Sequence, residues 1–299
     1  MKKLVFGSLN IDRRYSVEDF VQKGETISAE KMELFCGGKG LNQAISLSRA
    51  GNEVSFAGAV GEDGEMLLEE LKANQINIDH VKRMPGASGH AVIQVDRSGQ
   101  NCIIILAGSN GMITTEDVDR VLADFDEGDL IILQNEISNV AYILQQAHAK
   151  KMVVALNPSP CDSKIEKYDM NCVDYLLVNE TEAAAIAGCT EDEAVLQSLH
   201  ERYPSVNIIM TKGSEGSFYM GADGQKAHCG IHKVPVVDTT AAGDTFTGYF
   251  LSEVLKGSQV EQALQVAAVA SGIAVSRAGA APSIPYYEEV AQTYKRSLM

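Results

Sequence analysis

The stretch Val237-Asp238-Thr239-Thr240-Ala241-Ala242-Gly243-Asp244-Thr245-Phe246 is a run of small residues set between two carboxylates, and a helical pattern follows it. Phe246, Tyr249, Phe250 and Val254 recur at spacings of three and four, which gives the following segment one apolar face. Small residues at a helix start leave several backbone N–H groups unpaired and unshielded. Such a terminus is an anion site, and phosphate is its usual anion. Asp244 sits where those donors converge. A carboxylate beside phosphate is a poor choice for binding alone, because like charges repel. It suits a base that takes a proton from an attacking hydroxyl. An Asp here also favours a helix N-terminus by capping and by charge, so the stretch by itself leaves both roles open.

Composition narrows the field. The chain has 299 residues, 45% of them hydrophobic, enough for one large α/β core or a core with a small appendage. Its net charge of −15, with no basic cluster, argues against nucleic acid and anionic membrane as partners. The cysteines at 36, 102, 161, 172, 189 and 229 have neither Cys-x-x-Cys nor metal-ligand spacing, and most sit among apolar neighbours, as core thiols do. The N-terminus enters Leu4-Val5-Phe6 without a signal-peptide pattern. The stretch Ala263 to Val275 is interrupted by Gln265 and Ser271 and is too short to span a bilayer. These features lead us to expect a soluble protein in a reduced, cytoplasmic setting.

Along the chain, Lys3 to Phe6 reads as a buried strand ending in the loop Gly7-Ser8. Asn10 and Asp12 follow, a pair that suits hydroxyl-rich ligands but equally an Asx turn. Residues 13–35 read as edge strands. Cys36-Gly37-Gly38-Lys39-Gly40-Leu41-Asn42-Gln43-Ala44 then lets backbone approach a ligand and opens a helix. It is not a Walker A loop, since Gly40 follows Lys39 where Ser or Thr is required. Glu53 to Val60 reads as a strand and Glu62 to Ala73 as a helix. Asp96-Arg97-Ser98-Gly99 marks a hairpin between Gly89 to Val95 and Cys102 to Leu106. Farther on, the apolar runs Leu130 to Leu133, Val153 to Leu156, Tyr175 to Val178 and Ile208 to Met210 alternate with helical stretches at 138–150 and 191–202. That alternation predicts a parallel sheet covered on both faces, with ligands at the C-terminal strand ends. The polar segments there are Gln134-Asn135-Glu136, Asn157-Pro158, Asn179-Glu180-Thr181-Glu182 and Thr211-Lys212-Gly213-Ser214-Glu215-Gly216. Each singly could be a cap or turn; four at one rim favour a polar site. Asn179 and Glu182 could hold hydrated Mg²⁺, and the segment 211–216 could wrap a nucleotide.

Together these motifs resemble the ribokinase-like, or PfkB, family of carbohydrate kinases, over essentially the whole chain. Asp238-Thr239-Thr240-Ala241-Ala242-Gly243-Asp244 is similar to that family's C-terminal signature, 37–44 to its N-terminal Gly-Gly motif in the ribokinase form, and 179–182 to its Asn-x-x-Glu motif. The resemblance implies one three-layer α/β/α unit over 1–299, with a mainly parallel central sheet. A small β-sheet lid would come from strands at about 13–35 and 89–106. It implies Asp244 as the base, with backbone N–H groups of Ala241, Ala242, Gly243 and Asp244 around the transferring phosphoryl. Asn10, Asp12, Gly38, Lys39, Asn42 and Glu136 would join Asp244 around the sugar. ATP would meet Thr211, Gly213, Ser214, Gly216 and Gly243, with Mg²⁺ organised by Asn179 and Glu182 through water. Asp238, Thr240, Ala274, Arg277, Gly279 and Ser283 would form a K⁺ loop, and two lids would clasp into a homodimer. The implied reaction is ATP-dependent phosphorylation of a free pentose, D-ribose first, at its primary hydroxyl; the Lys39-to-Gln43 form and Glu136 favour ribose over nucleosides. Kinases for deoxyribose, another pentose or a nucleoside are the near alternatives. A non-catalytic sugar-binding regulator is a more distant one. A dinucleotide-dependent oxidoreductase is excluded, because no Gly-x-Gly-x-x-Gly follows the first strand. Two departures stand out: Ala241 replaces the signature's glycine, with the loop nonetheless expected intact, and Ala268 stands where many relatives carry a polar residue near the adenine.

Overall fold

Short runs of leucine and β-branched residues form the centre of this molecule because each can bury both of its faces. The computed structural model describes residues 1–190 and 192–297. In chain order these form β1 (Lys3–Phe6), β2 (Asn10–Ser16), β3 (Lys31–Gly37), α1 (Lys39–Arg49), β4 (Ser55–Val60), α2 (Glu65–Ala73), β5 (Asn77–Arg83), β6 (Gly89–Val95) and β7 (Asn101–Leu106). There follow α3 (Thr115–Leu122), β8 (Leu130–Gln134), α4 (Val140–Ala149), β9 (Val153–Asn157), β10 (Tyr175–Asn179), α5 (Glu180–Ala187), α6 (Asp192–Arg202) and β11 (Asn207–Lys212). The chain continues through β12 (Gly216–Met220), β13 (Lys226–Cys229), α7 (Ala242–Leu255), α8 (Val260–Val275) and α9 (Tyr287–Ser297).

The large sheet has the order β13-β12-β11-β10-β9-β8-β1-β4-β5. It is parallel from β11 to β5, and β12 and β13 extend it antiparallel. Alternation along each strand feeds two cores. Val5, Ile132, Leu177 and Ile209 pack on the side of α1, α7 and α8. Their neighbours Leu4, Ile131, Leu176 and Ile208 pack on the side of α3 to α6. This is the expected three-layer arrangement with a mainly parallel sheet. No helix among the described residues is long and apolar enough to cross a membrane.

The expected second sheet has the order β3-β2-β6-β7. It starts earlier than residue 13: β2 runs from Asn10, so Asn10 and Asp12 lie in a ladder with β3 and β6 and not in an Asx turn. The expected helix at 62–73 starts only at Glu65, because Gly61 to Gly64 make a turn. The expected start at 191, and residues 298 and 299, lie outside the described residues. The thiols also differ from expectation. Cys172 is buried, but Cys102 and Cys161 are exposed and Cys36, Cys189 and Cys229 are half-buried. Cys102 has apolar neighbours because β7 is a sheet edge, not because it is in the core.

Candidate active site

β1 pairs with β4 on one side and β8 on the other, and the chain leaves β1 for the second sheet before returning as α1. Strand order reverses at this point, which opens a crevice at the C-terminal strand ends. The polar residues at those ends stand side by side: Gln134 beside Asn157, and Asn179 beside Thr211.

The N-terminus of α7 faces this crevice. Ala241 precedes the helix with φ 60° and ψ 9°, in the left-handed region, and gives no side-chain cap. The position does demand positive φ, and alanine adopts it at a cost of about 1–2 kcal/mol. The backbone N–H groups of Ala241, Gly243 and Asp244 have no partner among the described residues, whereas that of Ala242 donates to Thr239 O at 3.2 Å. The Ala242 donor is therefore partly spent within the loop.

Asp244 is 7% exposed, and its carboxylate does not cap the helix. Asn42 Nδ2 donates to Oδ2 at 3.0 Å, and Gln43 Nε2 donates to Oδ1 at 2.9 Å. Gln43 Oε1 in turn accepts from Gln134 Nε2 at 2.7 Å. Consecutive residues of α1 thus aim Asp244, and the end of β8 holds one of them. Asn42 Oδ1 stays buried without a partner, so a hydroxyl beside Asp244 would satisfy it.

Near Asp244 the carboxylates of Asp12 and Glu136 lie close together, and the space bordered by the three is termed the acidic chamber. A Cβ at Gly37 would fall 2.1 Å from an Asp12 carboxylate oxygen, and Gly38 has φ 97°, so the paired glycines permit this close approach. Burial, helped by Glu136, pushes the Asp12 carboxyl up to about 7. Glu136 accepts from Lys39 N at 2.9 Å and from the Ser8 hydroxyl. Asn10 Oδ1 accepts from Asn110 Nδ2 at 2.8 Å, which turns the Asn10 amide nitrogen outward from that bond. Burial alone would push the Lys39 ammonium down, but Asp244, Glu136 and Glu182 outweigh it and the net shift is upward.

A cavity of about 740 Å³ adjoins the chamber. Lys39, Asn179, Glu182, Thr211, Gly213, Ser214 and Gly216 line it together with residues 241–244. Asn179 and Glu182 form a capping box on α5: Glu182 N donates to Asn179 Oδ1 at 2.8 Å, and Asn179 N to Glu182 Oε2 at 3.1 Å. The same box fixes the Glu182 carboxylate at the cavity wall. Ala268, Ser271, Gly272 and Val275 of α8 form the far wall, with His232. Among the described residues no group of three or more His, Cys, Asp or Glu could cage a metal ion.

The loop before α7 is tied to the end of α8. Asp238 Oδ1 accepts from Thr240 N at 2.9 Å and from Thr240 Oγ1 at 2.5 Å, and its Oδ2 accepts from Gly279 N at 3.0 Å. Burial pushes the Asp238 carboxyl up, but these bonds, with Arg14 nearby, bring it below the usual range. Arg277 N donates to Ala274 O at 3.1 Å, and its guanidinium pairs with Glu289, leaving only its backbone to face the loop. Ser283 is fully buried and donates to Ala280 O at 2.8 Å.

The fold therefore brings the proposed base and nucleotide residues to one cavity with Lys39, sets Asp12 and Glu136 nearby, and joins Asp238, Thr240 and Gly279 of the proposed cation residues. Four supporting residues had no assigned role from sequence: Ser8, Gln43, Asn110 and Gln134. Gln43 and Gln134 stood inside the quoted motifs, but nothing in the sequence paired them.

The family model for pfkB carbohydrate kinases matches residues 2–286. The chain belongs to this family. A ribokinase of Schizosaccharomyces pombe is 36% identical over 96% of this chain and 96% of its own. A deoxyribokinase of Salmonella typhi is 31% identical over 95% of this chain and 96% of its own. The structure of Arabidopsis thaliana ribokinase complexed with ribose and ATP superposes with a TM-score of 0.87, at 29% identity, covering 98% of each chain. Asp244 and Lys39 line the cavity, and the backbone N–H of Lys39 is bonded to Glu136 of the acidic cluster.

Proposed function

We propose that this chain, as one α/β unit with a lid, transfers the γ-phosphoryl of ATP to the primary hydroxyl of a free pentose, D-ribose foremost. The observation that carries the reading is Asp244, buried at the N-terminus of α7 and aimed by Asn42 and Gln43 at the junction of chamber and cavity. The ribose-and-ATP complex of the Arabidopsis relative and the ribokinase of S. pombe support the substrate pair.

In this reaction the sugar lies in the chamber, with Asp12, Glu136, Asn10, Gly38 and Asn42 around its hydroxyls. ATP lies in the cavity along 211–216 and the wall of α8, where Ala268 offers the base an apolar contact. Asp244 takes the proton of the attacking hydroxyl. The sugar oxygen forms its bond to the γ-phosphorus as the bond to the ADP oxygen breaks, and ADP leaves with that electron pair. The N–H groups of Ala241, Gly243 and Asp244 stabilise the equatorial charge, each such donor being worth ~3 kcal/mol. Lys39 lies between the two substrates as a fixed positive charge. Positioning and electrostatics supply most of the catalysis.

The donor set fits Mg²⁺ held through water: with no protein cage, Asn179 and Glu182 would orient waters while ATP supplies the phosphate oxygens. Mg²⁺ would neutralise charge on the β- and γ-phosphates. K⁺ would be held by Asp238 and Thr240 with the backbone carbonyls of Ala274, Arg277 and Gly279 and with Ser283, and the bond from Gly279 N to Asp238 supports the closeness of the two loop segments. Its contribution would be the shape of the anion hole. The second sheet pairs with that of a second copy to give a homodimer, supported by the exposed apolar run of β7. The free thiols, three of them in partly buried positions, suit a reduced cytoplasmic setting.

ADP formation with a panel of pentoses, nucleosides and hexoses tests the reading. D-ribose is expected to give the highest kcat/KM. Preference for 2-deoxy-D-ribose would move the assignment toward the Salmonella relative, and no turnover on any acceptor would favour a sugar-binding regulator.

A further inference from the structure

The second sheet carries two arginines that the reaction above does not use. Along β2, Asn10, Asp12 and Arg14 share one face and Arg13 the other. Charged neighbours separate the faces. Arg13 lies near Asp63, in the turn between β4 and α2. Asp12 lies near Glu136, and Arg14 near Asp238. Arg14 therefore shares the Asp12 face of β2 and lies near Asp238, in the loop that leads into α7. Across the ladder it faces Ile93 on β6 and Glu33 on β3, and Glu33 is already paired with Lys31 at 2.6 Å. Arg14 makes no hydrogen bond or ion pair among the described residues, and its Nε is shielded from solvent without a partner.

The balance of donors says what this guanidinium lacks. The chamber's carboxylates, Asp12, Glu136 and Asp244, can only accept while ionised. Asn42 and Gln43 each give one amide N–H to Asp244, and Gln43 gives its other to Asn157. Lys39 lines the nucleotide cavity. A pentose donates its O–H groups to the carboxylates, but its lone pairs, including those of a ring oxygen that only accepts, need donors. Beside the Asn10 and Asn42 amide nitrogens and the Lys39 ammonium, Arg14 is a further donor among the described residues with no hydrogen bond of its own.

We propose that Arg14 is a sugar-binding residue of the lid, donating to oxygens of the acceptor and selecting its configuration. The inference rests on the pentose-kinase reading and deepens it. A planar guanidinium presents two parallel N–H groups to a pair of neighbouring oxygens. It therefore favours a sugar whose adjacent hydroxyls lie on one side, as in D-ribose, over D-arabinose, with the pair on opposite sides, or 2-deoxy-D-ribose, with one oxygen missing.

Steady-state kinetics of Arg14→Met and Arg14→Lys, with the three sugars and with ATP, test this. Arg14→Met is expected to raise the KM for D-ribose about 10- to 100-fold, with kcat within a few-fold and the KM for ATP unchanged. The kcat/KM preference for D-ribose over the other two should shrink by a similar factor. Arg14→Lys should recover part of the KM but not the preference, since an ammonium has no planar fork. An unchanged KM for D-ribose in Arg14→Met overturns the inference, as does a fall in kcat alone, which would put the guanidinium on the transferring phosphoryl. Absence of pentose turnover in the unmodified enzyme overturns the functional reading and this inference together.

Discussion

At the scale of single residues, the account turns on two carboxylates with different surroundings. Asp244 accepts from two amides; Asp244→Asn keeps the size of the side chain and removes its proton acceptor, and Asn42 can turn over to offer its unpartnered Oδ1 to the new amide nitrogen. Its kcat should fall by about 10²–10⁴ while sugar KM changes little. A near-normal kcat in that variant would take the base role away from Asp244. Asp12 carries a carboxyl raised to about 7 by burial and by Glu136. Below that pH the free enzyme holds it protonated, and it loses acceptor capacity for sugar hydroxyls. The kcat/KM for sugar should therefore fall as pH drops through about 7. Asp12→Asn should flatten that acid limb while lowering the plateau; a limb that persists unchanged would assign it to another group. Asp244 was legible in the sequence because its neighbours are small and local. The Gln43–Gln134 bond was not, because it joins residues 91 positions apart, and only the packing of α1 against the end of β8 brings them together.

At the scale of elements, the N-terminus of α7, the anion site of the proposal, is built under strain. Ala241 holds a left-handed backbone that glycine would adopt without cost, and the Asp238 loop braces it against the end of α8. A cation in that loop would act by fixing where the donors of 241–244 point. Exchanging K⁺ for Na⁺ should then lower kcat by up to about 10²-fold, the scale of a small misplacement of catalytic groups. Asp238→Ala should abolish the difference between the two ions, and a rate indifferent to the exchange would remove the loop from the mechanism. The buried parallel strands were readable as apolar runs. The edge strands of the large sheet were not: β5, Asn-Ile-Asp-His-Val-Lys-Arg, and β13, Lys-Ala-His-Cys, bury too little to carry such a pattern. The positive φ of Ala241 was likewise open in the sequence, since alanine there signals nothing about its backbone.

At the scale of the whole molecule, the second sheet carries a polar pair on β2 and an exposed apolar edge on β7. Its inner face supplies Asn10 and Asp12 to the chamber, which explains why a short polar pair beyond β1 reads as weak in sequence: its ladder partners lie in β3 and β6. Its edge strand β7 leaves Ile103, Ile104, Ile105 and Leu106 exposed, with Ile104 at 64%. A long apolar edge is a pairing surface unless something covers it. Sedimentation at micromolar protein should give a dimer, and Ile104→Glu should shift it toward monomer; a wild-type monomer would contradict pairing through this sheet.

Phosphorus NMR of the product formed from ATP and D-ribose tests the central claim most directly. The account predicts ADP and a phosphomonoester coupled to the C5 protons of ribose in equal amounts. ADP without a sugar ester, or an ester on a different carbon, would contradict it.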